Sequence, residues 1–250
     1  MTQPKGYIID RGLSPINGQP YVTILTLKSN NRKTGDMAQV WILCEDINPV
    51  VAVQTGRDAT ICGDCPHRRN KEGKRSCYVN VGQGPNSIWK AYKRGVYSEL
   101  SYVGRRTIPS NGTFYSIIAA MLKGKRIRWG AYGDPSIINP QVVKLFNSYA
   151  DGHTGYTHQW REEFCQPFKG LFQASCDGFA DYLEASSKGW KTFTVVPKHT
   201  TITENNYAKQ CPATVENSVA QCATCKLCDG LRADIYVHAH GTGAKHFAAV

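Results

Sequence analysis

Two groups of cysteines constrain the fold of this chain more than any other feature of its sequence. One group lies towards each end, and their members are Cys62, Cys65 and Cys77, and Cys211, Cys222, Cys225 and Cys228. Cysteines at successive i, i+3 steps place their thiols on one tight loop, and a more distant fourth cysteine can complete the shell of a cubane iron–sulfur cluster. Structural zinc more often takes two separated Cys-x2-Cys arms. The spacing therefore predicts metal centres and favours iron–sulfur chemistry.

The two groups differ in the number of thiols that they supply. Cys211, which precedes Pro212, is expected to complete a shell of four thiolates in the carboxy-terminal group. The amino-terminal group has three thiolates, so a cluster held there would keep one iron open for a substrate or cofactor. The alternative is a tetrahedral zinc site with His67 as fourth ligand. Three further cysteines are isolated in the sequence, and burial as ordinary thiols is expected for Cys44, Cys165 and Cys176.

The composition is that of a soluble globular protein in a reducing compartment. With 250 residues, 41% of them hydrophobic and 20% charged, the chain is long enough for one large domain or two small ones. Its apolar runs are shorter than a membrane span and its first residues do not resemble a signal peptide, so we expect a cytoplasmic protein without a membrane partner. Ten cysteines in such a compartment indicate metal binding or catalysis, with the disulfides of a secreted protein as the alternative.

The net charge of +11 predicts either an anionic partner or a solvated basic surface. Nucleic acid is one polyanion that such an excess fits. The basic residues concentrate at positions 68–75, 90–106 and 123–128. The first segment lies in the insert between the second and third cysteines, where the side chains that could close over an anionic ligand are His67, Arg68, Arg69, Lys71, Lys74 and Arg75.

The first 58 residues predict a small amino-terminal β element. Short strands are expected at 7–9, 21–27 and 39–43, with a hairpin turn at 30–36 and a further short strand at 48–56. We expect this element, residues 1–58, to pack on the domain formed by residues 59–250.

The second region alternates between helices and strands. Helices are expected at 87–95, 113–122, 140–150 and 177–187, and strands at 126–129, 153–160, 171–175, 191–196 and 234–240. This alternation predicts an α/β architecture with parallel strands. Ligands of such folds lie at the carboxyl ends of the strands, so the segments that follow strands are candidate binding sites.

A glycine-rich turn follows the predicted strand at 126–129. Gly130 and Gly133 would let the backbone approach a bound ligand closely, and Asp134, which precedes Pro135, could accept a hydrogen bond from an ammonium or hydroxyl group. The alternative is a tight connection in which Asp134 caps the following turn.

Aromatic and histidine side chains at two other strand ends are candidates for substrate contact. A base-like substrate could stack on or hydrogen-bond to Tyr156, His158, Gln159 and Trp160. On the last strand, alternation would place His238 and His240 on one face as a metal or proton-transfer pair, with His246 further on. A structural role is the alternative for these histidines.

The three-cysteine loop, the glycine-rich acidic turn and the β/α units that follow resemble the radical S-adenosylmethionine (SAM) superfamily. The resemblance implies an incomplete (β/α) barrel with a 4Fe-4S cluster, whose open iron binds the methionyl part of SAM, on Cys62, Cys65 and Cys77. It also implies a SAM-binding turn, which contacts the amino group, at Gly130, Gly133, Asp134 and Pro135. The cysteine spacing is Cys-x2-Cys-x11-Cys in place of the family's Cys-x3-Cys-x2-Cys, and the acidic residue is Asp in place of Glu.

Residues 60–247 also resemble small phage-borne, radical-SAM-like iron–sulfur proteins of unassigned activity. The shared features are Cys65-Pro66-His67, Cys77-Tyr78, the turn at 132–135, the segments 156–160 and 189–193, and the terminal cysteine loop before His240-Gly241. The carboxy-terminal group would hold a second, closed 4Fe-4S cluster.

Two functions follow as expectations. The first is an enzyme that cleaves SAM reductively in order to modify a nucleic acid or nucleotide, and the open coordination position favours it. The second is a non-catalytic phage protein that carries iron–sulfur or zinc and binds nucleic acid or a host protein, and the basic surface alone favours it.

Overall fold

The computed structural model describes residues 4–100, 102–103, 112–201, 208–241 and 243–247. Its first three strands are β1 (Gly6–Leu13), β2 (Pro20–Thr26) and β3 (Ala38–Cys44). They pair antiparallel in this order, with a bulge in β1 between Ile8 and Asp10. The three amino-terminal strands predicted from the sequence are thereby confirmed.

Helix α1 (Pro49–Thr55) occupies the segment for which the sequence predicts a fourth strand, so that prediction is wrong. The Asn48 side chain accepts a hydrogen bond from the Val50 amide at 2.9 Å, and Pro49 begins the helix. Gly56 ends it with a φ of 76°. These caps outweigh the strand preference of the valines because they satisfy backbone groups that a helix end otherwise leaves unpaired.

The rest of the chain alternates helices and strands. The helices are α2 (Ala59–Cys62), α3 (Gly84–Lys93), α4 (Gly112–Leu122), α5 (Pro140–Tyr149) and α6 (Phe179–Ser187). The strands are β4 (Ser98–Glu99), β5 (Ile127–Tyr132), β6 (His153–Thr154), β7 (Tyr156–Thr157), β8 (Gln173–Cys176), β9 (Thr192–Val196), β10 (Lys209–Gln210) and β11 (Ile235–His238). Short 3-10 helices lie at Pro135–Ile137, Glu163–Phe168, Pro212–Thr214 and Ala244–His246. None of the helices in the described part of the chain has the length and apolar character that crossing a membrane requires.

The strands form two sheets in which most neighbours are parallel. The order in the first sheet is β4-β1-β2-β3-β5-β6, and β5 lies parallel to both β3 and β6. The order in the second is β10-β11-β9-β8-β7, and all of its pairs are parallel. The architecture is therefore mixed α/β with parallel-rich sheets, which confirms the predicted fold class at this level.

Gly155 is the point at which one chain segment leaves the first sheet and joins the second. It separates β6 from β7, where the sequence predicts one uninterrupted strand. A Cβ atom at Gly155 would lie 2.3 Å from the Phe172 ring, so the backbone must pass directly over that ring. Parallel neighbours can therefore be followed from β3 through β5 and this segment to β8, β9, β11 and β10.

One hydrophobic core serves both the amino-terminal strands and the α/β region. Trp129 of β5 packs edge-on against Phe146 of α5 with ring centres 6.4 Å apart, and Phe168 stacks on Phe172 at 5.2 Å. The same core includes Ile9 of β1, which is fully buried. The amino-terminal strands thus share a sheet and a core with the rest, and the predicted boundary at residue 58 falls between α1 and α2.

Candidate metal centre

The three amino-terminal cysteines lie on a loop that begins at the end of α2. Cys62 is the last residue of that helix, and Gly63 ends it with a φ of 57°. The amide of Cys65 donates to the carbonyl of Cys62 at 3.2 Å, and the amide of Cys77 donates to the carbonyl of His67 at 3.0 Å. The second bond brings Cys77 back across the insert. Burial raises the pKa of Cys62 well above its ordinary value, and the neighbouring Cys65 and Cys77 raise it further.

The side chain of Gln159 fixes this loop through hydrogen bonds. Its Nε2 donates to the carbonyl of Cys62 and to the carboxylate of Asp64, both at 3.1 Å. A Cβ atom at Gly63 would lie 2.4 Å from Oε1 of Gln159, so the amide packs directly on the loop. Gln159 is 3% exposed and the neighbouring Trp160 is fully buried. The prediction that these two side chains contact a substrate is wrong, because both are enclosed by the chain itself.

Arg68 belongs to the same loop rather than to a free basic surface. Its guanidinium donates to two carbonyls and one carboxylate, at 2.7 Å to Gly63 O, 2.8 Å to Gly56 O and 2.8 Å to Asp58 Oδ1. Arg75 likewise donates to the carbonyl of Val79 at 2.7 Å. The prediction that Arg68 grips an external anion is therefore wrong. The cations of the insert that remain exposed are Arg69, Lys71 and Lys74.

A histidine–aspartate–histidine cluster lies beside the cysteine loop. Nε2 of His67 is 2.7 Å from Oδ1 of Asp177, and Nε2 of His158 is 3.4 Å from Oδ2 of the same carboxylate. Nδ1 of His67 is 2.8 Å from the hydroxyl of Ser76. Burial alone would raise the pKa of Asp177, but the two imidazoles lower it below its ordinary value. Burial alone would lower the pKa of His158, but the adjacent Cys65 and Asp177 raise it well above its ordinary value.

This cluster bears on the zinc alternative, because it contains the histidine that is expected as the fourth zinc ligand. In this structure the ring nitrogens of His67 contact Ser76 and Asp177, and its role as fourth ligand beside the three thiols stays a prediction. The histidine that stands beside Cys65 is His158. Sequence reasoning missed this group as a unit. The one signal that could have joined its members is that His158 lies near the end of one predicted strand and Asp177 follows another.

The glycine-rich turn joins the end of β5 to the cysteine loop and to β7. Oδ1 of Asp134 accepts from the amide and the hydroxyl of Ser136 at 3.0 and 2.8 Å, and Oδ2 accepts from the amide of His158 at 2.8 Å. The amide of Asp134 donates to the carbonyl of Ile61 at 2.6 Å. Asp134 therefore caps the 3-10 helix Pro135–Ile137, as the alternative interpretation expects, and sits next to Cys62.

The two glycines of this turn allow it to pack closely. Gly130 and Gly133 have φ values of 68° and 79°. A Cβ atom at Gly133 would lie 2.8 Å from Cβ of Ile42 on β3, and one at Gly130 would lie 3.0 Å from Cδ of Pro135. Their contact with SAM stays a prediction, whereas their contact with β3 and with the turn itself is a feature of the fold.

The four carboxy-terminal cysteines line one pocket, together with Thr154, Pro212, Ala213, Leu227 and Ile235. Their loop is tied to the hairpin turn between β2 and β3, where the amide of Cys222 donates to the carbonyl of Lys33 at 3.0 Å. Arg126 donates to the carbonyl of Cys225 at 3.0 Å. Burial raises the pKa of Cys228, and the other three thiols of the group raise it further. The structure thus brings together the second predicted ligand set.

One extended segment runs between the two cysteine groups. Thr154 lines the carboxy-terminal pocket, Tyr156 lies beside Cys228, and His158 lies beside Cys65. These three residues occupy alternate positions, and four residues of extended chain span roughly 13 Å. The two cysteine groups therefore lie at the two ends of one short extended segment, and both border the region around Tyr156.

Arg128 of β5 supplies a cation between the two cysteine groups. Its guanidinium donates to the hydroxyl of Tyr78 at 2.7 Å, and the neighbouring Trp129 packs on α5 at the other face of the strand. Burial would lower the pKa of Arg128, but Tyr78, Tyr156 and Cys222 raise it. These neighbours are phenols and a thiol, which carry no charge at neutral pH unless they bind a metal. Arg128 is thus suited to an anionic group between the two sites.

The isolated cysteines are buried, as predicted. Cys44, Cys165 and Cys176 are at most 2% exposed. Burial raises the pKa of Cys44 and of Cys165 to about 12. These thiols therefore stay protonated and are poor nucleophiles at neutral pH.

The rings of His238 and His240 have different partners. Nε2 of His238 lies 3.0 Å from the carbonyl of Thr200. Nδ1 of His240 lies 3.0 Å from the carbonyl of His238, and its ring stacks near Tyr78 with centres 6.3 Å apart. Their role as a pair, and that of His246, stays a prediction.

The amino-terminal site is assembled from the insert after α2 and from the ends of β5, β7 and β8. Such an arrangement can hold a metal centre and an ionisable group beside it. No protein-family model, curated protein or solved structure matches this chain.

Proposed function

We propose that this chain is a metalloprotein with two cysteine-held iron–sulfur centres, of which one keeps a ligand position for SAM or a substrate. The open centre has the ligands Cys62, Cys65 and Cys77, and the closed centre has the ligands Cys211, Cys222, Cys225 and Cys228. The observation that carries this proposal is that seven of the ten cysteines gather into two groups, while the other three are buried singly.

The spacing of the thiols supports clusters over single zinc ions. Cys222, Cys225 and Cys228 follow one another at i, i+3 steps, and Cys211 lies further away in the sequence. This arrangement is typical of a cubane iron–sulfur cluster, whereas structural zinc more often takes two separated Cys-x2-Cys arms.

The finer fold proposal is an incomplete (β/α) barrel of the radical SAM type. The series of parallel neighbours from β3 to β10 supports it, as does the position of the cysteine loop near the carboxyl ends of β5, β7 and β8. A cluster with an open iron supplies an electron and a coordination position for the methionyl part of SAM.

The chain's own residues would orient and enclose this centre. Gln159 and Arg68 fix the cysteine loop through its carbonyls. Asp134 links that loop to β7 through the amide of His158. The imidazole of His158, which lies 3.4 Å from the carboxylate of Asp177, can hold a proton beside the open position.

A nucleotide or nucleic acid is the substrate class that the surroundings favour. Arg128 and Tyr156 offer a cation and an aromatic ring between the two centres. Arg69, Lys71 and Lys74 are exposed on the insert next to the open centre. Cations next to aromatic rings suit a phosphate attached to a base.

Metal analysis tests the proposal. Anaerobically reconstituted protein is expected to contain about eight irons and about eight acid-labile sulfides per chain, since each cubane holds four of each. Colorimetric iron and sulfide assays and zinc analysis on one preparation measure this. Stoichiometric zinc without sulfide would contradict the iron–sulfur proposal.

A second function, a non-catalytic protein that binds a polyanion, is favoured by the exposed basic residues. Lys90, Lys93 and Arg94 are exposed at the end of α3, in addition to the exposed cations of the insert. In this alternative the cysteine centres only stabilise the fold.

The salt dependence of oligonucleotide binding tests the contribution of the insert. A triple variant of Arg69, Lys71 and Lys74 to Ala should reduce the slope of log affinity against log salt by about one unit per lost phosphate contact. A matched triple variant of the exposed Lys144, Lys169 and Lys198 removes the same charge and should leave the slope unchanged. Fluorescence anisotropy with labelled DNA and RNA measures both. Equal slopes in the two variants, or no binding at low salt, would contradict a role of the insert in binding nucleic acid. Its positive charge would then serve solubility.

A further inference from the structure

The side chains of His67, His158 and Asp177 come from three distant parts of the chain and converge on one point. Their ligand atoms all lie within 4.8 Å of one another. The Nε2 atoms of the two histidines are 2.7 and 3.4 Å from the two carboxylate oxygens. Two nitrogen or oxygen ligands that bind one ion at about 2.1 Å in a tetrahedron lie about 3.4 Å apart. We propose that these residues bind one divalent transition-metal ion, in a site separate from the two cysteine-held centres.

The donor set matches such an ion. Two imidazoles and one carboxylate suit zinc or iron(II), and they leave positions open for water or a substrate oxygen. Ser76 accompanies this set, with its hydroxyl 2.8 Å from Nδ1 of His67. A partner on the second ring nitrogen is the usual way in which a metal-binding histidine is oriented. The site therefore has both ligands and a residue that positions one of them.

Burial gives an independent reason for a ligand here. Nε2 of His158 is inaccessible to solvent, and among the described residues it makes no well-aligned hydrogen bond, although it lies 3.4 Å from Oδ2 of Asp177. A buried polar atom in this state destabilises the fold, and a bound cation would satisfy it. The side chain of Asp177 is 3% exposed, whereas those of His67 and His158 are 14% and 20% exposed. The carboxylate is thus enclosed, while the histidines leave a route from solvent.

The neighbourhood limits what the ion could do. Cys65 lies beside His158, so the ion would sit next to the open cysteine centre. Phe247 stacks on His67 with ring centres 5.4 Å apart and covers that side. An ion with three protein ligands would bind an oxygen of a phosphate or carbonyl group beside the open centre and act as a Lewis acid there. The inference goes beyond the proposed function, which concerns the cysteines.

Cobalt binding tests the site. Full-length protein whose cysteine centres have been filled anaerobically is dialysed against Co2+ alone, and its bound cobalt, iron and sulfide are counted. We expect one cobalt per chain, with d–d absorption bands and without thiolate-to-cobalt charge-transfer bands. Asp177→Asn should weaken cobalt binding more than about 100-fold, and Ser76→Ala by about tenfold, because loss of a partner residue typically costs 10–100-fold.

Glu72→Gln is the matched control, because this carboxylate lies in the same insert and is 68% exposed. It should bind cobalt as the unchanged protein does. If Asp177→Asn loses the circular dichroism of the folded protein, His67→Gln takes its place. Equal cobalt affinity in the substituted and unchanged proteins, or a charge-transfer band that Cys65→Ser removes, would overturn the proposal. Sulfide content is read separately, so failure of the iron–sulfur proposal can be recognised independently of this one.

Discussion

Replacement of Cys77 by Ala is expected to abolish the spectral response of the reduced protein to SAM. Cys77 is one of only three thiols in the amino-terminal group, and its amide closes the loop through the carbonyl of His67 at 3.0 Å. Two thiols cannot hold the cluster, so the variant should also lose about four irons and about four sulfides per chain. Electron paramagnetic resonance with and without SAM, together with iron and sulfide assays, measures the effect.

Two further cysteine variants make this result specific. Cys225→Ala should remove the carboxy-terminal centre and spare the SAM response. Cys165→Ala should spare both centres, because Cys165 is fully buried and isolated from both groups in the sequence. If the wild-type protein contains both clusters but does not respond to SAM, the result would favour the second function, a non-catalytic protein that binds a polyanion. A response that survives in Cys77→Ala would show that the open centre has been assigned to the wrong cysteines.

Gly133→Ala is expected to destabilise the protein by about 3 kcal/mol. An alanine in the left-handed conformation costs about 1–2 kcal/mol, and the added Cβ would lie 2.8 Å from Cβ of Ile42 and 2.9 Å from its carbonyl oxygen. Overpacking of this kind adds about 1–3 kcal/mol. For a chain of this length the melting temperature should fall by about 6–12 °C. Differential scanning calorimetry of the cluster-loaded protein measures the change.

Gly124→Ala is the matched control for this prediction. Gly124 has a φ of 69°, and an added Cβ would meet nothing within 4 Å. Only the backbone strain remains, so the melting temperature should fall by about 2–8 °C, which is less than in Gly133→Ala. Equal losses in the two variants would show that the contact between the turn and β3 contributes little. An unchanged melting temperature in Gly133→Ala, with loss of the SAM response, would assign this glycine to the cofactor alone.

Local sequence patterns were enough to predict most of the secondary structure. The alternating strands and helices after residue 87 follow from periodicity and from end signals such as Pro140, which begins α5. Those signals act within a few residues, so they do not depend on the rest of the fold. The strand predicted at 48–56 is a helix because its end signals at Asn48 and Gly56, which are also local, outweigh the strand propensity of the valines between them.

The sequence by itself determined the two cysteine groups, because ligand spacing is a property of short segments. Tertiary structure decided which side chains stand beside them. Asp177 meets His67 across 110 positions, and this contact depends on the order of the parallel strands rather than on any local pattern. It also decided that Arg68, in a row of similar cations, is bound to the carbonyls of the cysteine loop while the adjacent Arg69 is exposed. Composition treats these two arginines alike, because only the path of the backbone determines which guanidinium meets unpaired carbonyls and the buried Asp58.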